Sequence, residues 1–406
     1  MLLDRLHQRF REREAAGLVR TRYTSLGPST RTLVRAALGA EASGLQLLSF
    51  ASNDYLGLTD HPEVVNSFQE GLDRYGAGSG ASAMVSGHSE AHEALERACV
   101  AWMRPQFPEL DCLLFSTGYM ANLAVLTALT ERGDALFCDK LNHASLVDGM
   151  RLSEADHRRF PHRDLNVLED QLRASKARVK LIVTDGVFSM DGDVAPLGAL
   201  VELAQRYDAT LFVDDAHGVG VLGAEGRGTL GWAGVRSERV ILMGTLGKAA
   251  GVSGAFVAAH PLIIGWLQQA ARSYVYSTAP PPAASHALVR SIALIRGREG
   301  DRRRAHLQSL IQVIGARSAD FERRGIQHLA SDTAIQPLIV GSNDAAVALS
   351  QWLAEDGFWV PAIRPPTVPV GTARLRVSLS AGHSEADLER LCSRTLLFPV
   401  EAGPKD

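Results

Sequence analysis

Short apolar runs recur between residues 55 and 285, each followed by a stretch with helical periodicity. The runs 112–115, 135–138, 181–184, 211–213, 239–243 and 255–258 are apolar nearly throughout, without polar alternation. That pattern predicts strands buried on both faces. The segments 123–131, 165–175 and 197–207 place apolar residues at helical spacing and predict helices between strands. The resulting rhythm predicts an α/β fold with a large, mostly parallel sheet covered by helices on both sides. Ligands on such sheets collect at the carboxyl ends of the strands, and Asp185, Asp214 and Lys248 fall near such ends.

The flanks read differently. Leu2, Leu3, Leu6 and Phe10 mark one face of a short charged helix. Arg20, Arg22, Arg31 and Arg35 follow as a basic stretch. It reads either as a solvated arm or as a contact for an anionic substrate or a partner subunit. Three prolines at 280–282 close the large region, and 296–304 is charged and helical in character. The apolar run 335–340, a helix over 345–355, the proline-rich 363–369, the alternating 373–379 and a last helix capped by Ser384 predict a smaller α+β domain. The predicted organisation is an N-terminal helix and arm over 1–54, a large domain over 55–285 and a small domain over 286–406.

Composition narrows the class. A chain of 406 residues can bury a large core. Its formal charge of -3 gives no reason to expect nucleic acid or an anionic membrane as partner. Cys99, Cys112, Cys138 and Cys392 lack metal or redox spacing and read as reduced thiols of a cytoplasmic protein. The first residues lack the apolar centre of a signal peptide, and no run of eighteen apolar residues predicts a span.

Two segments carry the chemistry. Gly244-Thr245-Leu246-Gly247-Lys248-Ala249 sets a lysine in a small-residue loop after an apolar run. Val213-Asp214-Asp215-Ala216-His217 closes another run with a carboxylate and, three residues later, a histidine. Pyridoxal phosphate chemistry needs these parts together. The cofactor's aldehyde requires a lysine amine, and its ring nitrogen requires a carboxylate to keep it protonated as an electron sink. A P-loop is excluded, because Leu242 and Ala249 stand where its first glycine and its hydroxyl belong. Gly218-Val219-Gly220-Val221-Leu222-Gly223 matches a dinucleotide fingerprint, but Gly226, Gly228 and Gly231 follow, so it reads as a loop. Ser116 to Asn122 lies between a strand and a helix and offers either a phosphate seat or an ordinary cap. Asn142-His143-Ala144-Ser145 offers a ring able to stack on a flat cofactor. His88 and His92 have a metal spacing, but Ser89 replaces the glutamate of a zinc motif, and no metal is predicted. The acidic run 185–193 lacks the spacing of a calcium loop.

Taken together, the chain resembles the α-oxoamine synthase family of fold-type I pyridoxal phosphate enzymes. Ser52-Asn53-Asp54-Tyr55-Leu56-Gly57-Leu58, the run 185–193, the 213–217 segment, the lysine loop, Tyr276-Ser277-Thr278 and Ala362-Ile363-Arg364-Pro365-Pro366-Thr367-Val368-Pro369 carry the resemblance over nearly the whole length. It implies a seven-stranded, mostly parallel sheet in the large domain and a homodimer. It implies Lys248, His143, Asp214 and His217 as catalytic groups: Lys248 joined to the cofactor, Asp214 on the pyridine nitrogen, His217 on the phenolic oxygen and His143 stacked over the ring. Ser189 would lie near the phenolic oxygen, and Gly118, Tyr119 and Thr245 around the phosphate or ring. Thr278 would reach the phosphate in the neighbouring subunit. Asn53, Arg364 and Thr367 would hold substrate, Arg364 by clamping the amino-acid carboxylate, and Arg20 would meet the acyl substrate.

Two departures stand out. Asp185 occupies a position where many relatives carry glutamate. Ala81 replaces a common glycine, which requires a backbone without positive φ there. Within the family, the 85–89 and 364–366 segments favour L-alanine with a pimeloyl thioester, on coenzyme A or on an acyl carrier protein. Sister reactions use glycine with acetyl or succinyl thioesters, or serine with a long acyl thioester. A catalytically silent binding subunit and a nicotinamide-dependent oxidoreductase are the readings from other classes. The first conflicts with retention of Lys248, Asp214 and His217; the second rests only on the Gly218 loop.

Overall fold

The computed structural model describes residues 1–19, 27 and 47–399. The chain forms two compact units. The larger comprises Leu56–Ser189 and Asp193–Ala305; the other comprises Met1–Tyr55, Met190–Gly192 and His306–Asp406.

The larger unit is built on seven strands: β1 Asp111–Phe115, β2 Ala135–Asp139, β3 Asp156–Phe160, β4 Lys180–Asp185, β5 Thr210–Asp214, β6 Val240–Thr245 and β7 Ala255–Ala259. Their spatial order is β1-β7-β6-β5-β4-β2-β3. Pairs β3/β2, β2/β4, β4/β5 and β5/β6 are parallel, and β7 runs antiparallel to both of its neighbours. This is the largely parallel sheet that the apolar runs predict. One strand had no apolar run to mark it. β3 reads Asp-His-Arg-Arg-Phe and buries only its last residue fully. It sits at the sheet edge, where polar side chains guard against further pairing.

Between β1 and β2 the helix α1 runs Gly118–Ala128, starting five residues before the predicted 123. The Thr117 side chain accepts from the Met120 amide and so fixes the start at Gly118. The core lies between the sheet and this layer: Phe115, Val125, Leu126, Leu136, Val183, Phe212, Ile241 and Val257 are all buried together. Each such Leu, Ile or Phe contributes roughly 1.5–3 kcal/mol on burial. Ala81 fits, since Arg163, Asp208 and Glu225 are the non-glycine residues with positive φ among those described.

The other unit holds four antiparallel strands, β8 Gln327–His328, β9 Ile335–Gly341, β10 Ala362–Ile363 and β11 Ala373–Ser378, in the order β10-β11-β9-β8. The helices Asn343–Glu355 and Glu385–Leu396 belong to it, and Ser342 and Ser384 cap them. At its start, the helix Leu2–Ala15 leaves Leu2, Leu3, Leu6 and Phe10 exposed.

Candidate active site

Parallel strands set the site. Asp185 and Asp214 are register partners at the carboxyl ends of β4 and β5. Both are buried, at 3% and 4% exposure. The Asp214 carboxylate accepts from the Ala216 amide at 3.0 Å and from Asn122 Nδ2 at 2.6 Å. Asn122 Nδ2 also donates to Ser145 Oγ at 2.8 Å, and Ser145 Oγ lies 2.7 Å from His143 Nδ1. His143 caps the helix Ala144–Leu152, its ring nitrogen accepting from the Ser145 amide. A single polar chain therefore links Asp214 to His143.

The shorter arm of Asp185 still makes a bond. Its Oδ2 accepts from the His143 amide at 2.8 Å. Burial first, and then the charge of Asp214, push the Asp185 carboxyl well above the ordinary range. Burial also lowers His143, with Lys248 adding to that and Asp214 opposing it. The balance favours the neutral form of His143.

Lys248 lies in the loop between β6 and β7. Its Nζ is 2.8 Å from Nε2 of the buried His217. The loop is closed by Leu246 N–H to Gly254 O at 2.8 Å and by Thr245 Oγ1 to Gly254 O at 3.2 Å. Gly244 is required here, since a Cβ would come within 2.5 Å of the Phe256 ring on β7. The run from Gly218 to Gly223 is a loop, with positive φ at Gly220 and Gly223.

Gly118 opens α1, and Tyr119 in its first turn is partly exposed, with its hydroxyl on Asp148. The Tyr119 and His143 rings meet edge to face at 6.5 Å. Ser189 lies just beyond β4, in a hairpin closed by a Val187–Val194 bridge. Thr278 is exposed and bridges to Ser82. The buried His92 secures that segment: Ser89 holds its Nδ1, and its Nε2 meets Pro280 O at 2.8 Å. His88 is bonded to Glu96.

The predicted substrate residues lie in the other unit. Asn53 Oδ1 accepts from Tyr55 OH at 3.1 Å and from Arg376 at 3.2 Å. Arg364 donates to Gly17 O, and with Thr367, Leu18, Gln351 and Trp359 it lines a groove. Arg20 falls outside the described residues.

Sequence reasoning placed Asn122 only in a segment offered as a phosphate seat or an ordinary cap, and gave no role to Ser145 or Arg376. The available signal was an asparagine inside the otherwise apolar run Met120-Ala121-Asn122-Leu123-Ala124, where a polar group needs a partner.

Comparison with known proteins accords with this geometry. The family described as Aminotransferase class I and II matches residues 46–394. The 8-amino-7-oxononanoate synthase of Leptothrix cholodnii is 56% identical over 398 residues, covering 96% of this chain and 97% of the relative. The chain belongs to the α-oxoamine synthase family. Among solved structures, the fold is matched by a serine palmitoyltransferase variant from S. paucimobilis with bound PLP–myriocin aldimine. It has a TM-score of 0.86 at 27% identity, over 97% of this chain and 96% of that one. An 8-amino-7-oxononanoate synthase from Francisella tularensis gives a TM-score of 0.74 at 29% identity, over 86% of this chain and 97% of that one.

Proposed function

We propose that this enzyme joins L-alanine to a pimeloyl thioester, on coenzyme A or on an acyl carrier protein, to form 8-amino-7-oxononanoate. Carbon dioxide and the free thiol are released, and the product feeds biotin biosynthesis. The enzyme is an acyltransferase that uses pyridoxal 5′-phosphate. The observation that carries the substrate reading is 56% identity to an 8-amino-7-oxononanoate synthase over 96% of the chain, against 27% to a serine palmitoyltransferase. The two solved structures, at 27% and 29% identity, do not separate the substrates, and the reading rests on the 56% identity.

The residues fit the cofactor. Asp214 is buried, and its oxygens receive two neutral donors; among the described residues no Lys, Arg or His forms an ion pair with it. A buried carboxylate in that state suits a protonated ring nitrogen. The first amides of α1 and the Thr117 hydroxyl suit a phosphate, with Gly118, Tyr119 and Thr245 around it. Bound pyridoxal phosphate supplies an electron sink for the charge that develops at the α-carbon of the amino acid.

The chain's own groups do the rest. Asn122 and the Ala216 amide hold the Asp214 carboxylate, which would keep a proton on the ring nitrogen. Lys248 Nζ takes the α-proton, and His217 Nε2 positions that amine. The neutral ring of His143 would lie over the cofactor, and Ser189 and His217 would meet its phenolic oxygen. Asn53, Thr367 and Arg364 hold the alanine, and Arg20 meets the acyl chain. The working form is a homodimer, in which the exposed Thr278 would reach the phosphate held by the neighbouring subunit. No helix among the described residues is long and apolar enough to cross a membrane, and we place the enzyme in the cytoplasm.

The test is product identification by mass spectrometry. Purified enzyme is offered alanine with pimeloyl thioester, glycine with acetyl or succinyl thioester, and serine with palmitoyl thioester. The alanine and pimeloyl pair is expected to give the highest kcat/KM; a higher value for any sister pair refutes the substrate reading. Arg364→Ala is expected to raise the KM for alanine steeply, with a loss of roughly 2–5 kcal/mol for an unpaired carboxylate. An unchanged KM would remove Arg364 from that role.

A further inference from the structure

Away from the residues discussed so far, His162 stands between two carboxylates. Its Nδ1 lies 3.1 Å from Asp139 Oδ1, and its Nε2 lies 2.8 Å from Asp193 Oδ2. With an acceptor on each nitrogen, the ring can satisfy both only as the doubly protonated imidazolium. Burial works against that charge, but the bonds to Asp139 and Asp193 outweigh it and hold His162 up to about 9. The Phe188 ring packs edge to face on it at 4.3 Å. Arg163 adds to the cluster. Its amide donates to Asp139 Oδ2 at 2.9 Å and its guanidinium to Asp193 Oδ2 at 3.1 Å. Arg163 reaches this geometry with φ at 57°, a conformation that non-glycine residues seldom adopt.

The two carboxylates anchor two different loops. Asp139 ends β2 and accepts from the Leu141 amide at 2.8 Å, so it shapes the turn that leads to Asn142 and His143. Asp193 closes the hairpin after β4, where the Phe188 amide donates to Asp193 O at 3.0 Å. Ser189 follows Phe188 directly. We propose that His162 is a positioning residue whose charged ring cross-links the loop carrying His143 to the hairpin carrying Ser189. The cross-link sets the spacing of the two groups assigned to the cofactor's ring face and to its phenolic oxygen, and so it rests on the functional reading given above. The groups that face the ring are Asp139, Asp193 and Arg163, and Phe188 is its apolar neighbour.

The sign of the pH dependence follows from the raised folded value. The charged clamp is complete below about 6.5, the value of histidine in an unfolded chain, and is lost as pH rises through about 9. The first measurement is independent of catalysis. In the holoenzyme labelled at histidine, the resonance absent from His162→Asn is expected to titrate with a midpoint near 9. Asp193→Asn should move that midpoint down. A midpoint near 6.5 in the wild type overturns the proposal.

The second measurement is the ratio of wild-type to His162→Asn kcat against pH. It should be about tenfold near pH 7, the weight of a lost bond to a charged group, and approach unity above pH 9.5. A constant ratio would mark His162 as merely structural and overturn the proposal. If His162→Asn fails to fold, Asp193→Asn takes its place in the rate measurement. A wild type that forms no amino ketone sinks the functional reading while leaving the titration result intact.

Discussion

Lys248→Ala is expected to fold, to lose the visible absorbance of the lysine-bound cofactor and to give no measurable turnover. The reason lies in the loop between β6 and β7. Lys248 Nζ is held against His217 Nε2 at 2.8 Å, and no other lysine occurs between Lys180 and Lys405. On the roles proposed for it, removing the amine removes both the group that joins the cofactor and the base for the α-proton. Positioned proton transfer alone is worth roughly 10²–10⁴-fold. Small-residue packing around the loop is untouched, because Gly244 and the Leu246–Gly254 bond lie outside the deleted side chain. Thermal unfolding should therefore match the wild type. Turnover within tenfold of wild type would remove Lys248 from both roles.

Asp214→Asn tests the proposed partner of the ring nitrogen. The substitution keeps size and can keep the Ala216 bond, so the fold should survive. An amide cannot hold the pyridinium charge, and a charge-assisted hydrogen bond of roughly 1.5–3 kcal/mol is lost. That predicts a fall of at least tenfold in exchange of the alanine α-proton with solvent, read by NMR without the thioester. The effect should exceed the bare hydrogen bond, because Asn122 Nδ2, which donates to Asp214 Oδ2 at 2.6 Å, must reorganise too. Asp185 provides an internal check. The Asp214 charge helps to push its carboxyl up, so the asparagine variant should bring Asp185 back toward the ordinary range. Exchange at the wild-type rate would separate Asp214 from the electron sink.

Much of this was legible in the chain. Six of the seven strands of the large sheet announced themselves as apolar runs, since strands buried on both faces must be apolar throughout. Lys248, Asp214 and His217 stood out because their types and spacing suit one chemistry. The seventh strand did not, because at an edge the sheet needs only backbone pairing, and Asp156 to Arg159 could stay polar. The start of α1 at Gly118 turned on one Thr117 cap that periodicity does not weigh.

The sequence by itself determined the class of fold and the family and singled out Lys248 and Asp214 as candidates, because periodicity and residue chemistry are local properties that survive in one dimension. Only the tertiary structure decided what holds those groups. Asn122, Ser145 and His143 form a chain to Asp214 although they lie 92, 69 and 71 positions before it. His162 meets Asp139 and Asp193 from 23 positions after one and 31 before the other. Such bonds form because parallel strands bring their carboxyl ends to one edge and the connecting loops converge there. A buried carboxylate must then find donors in whichever loop arrives.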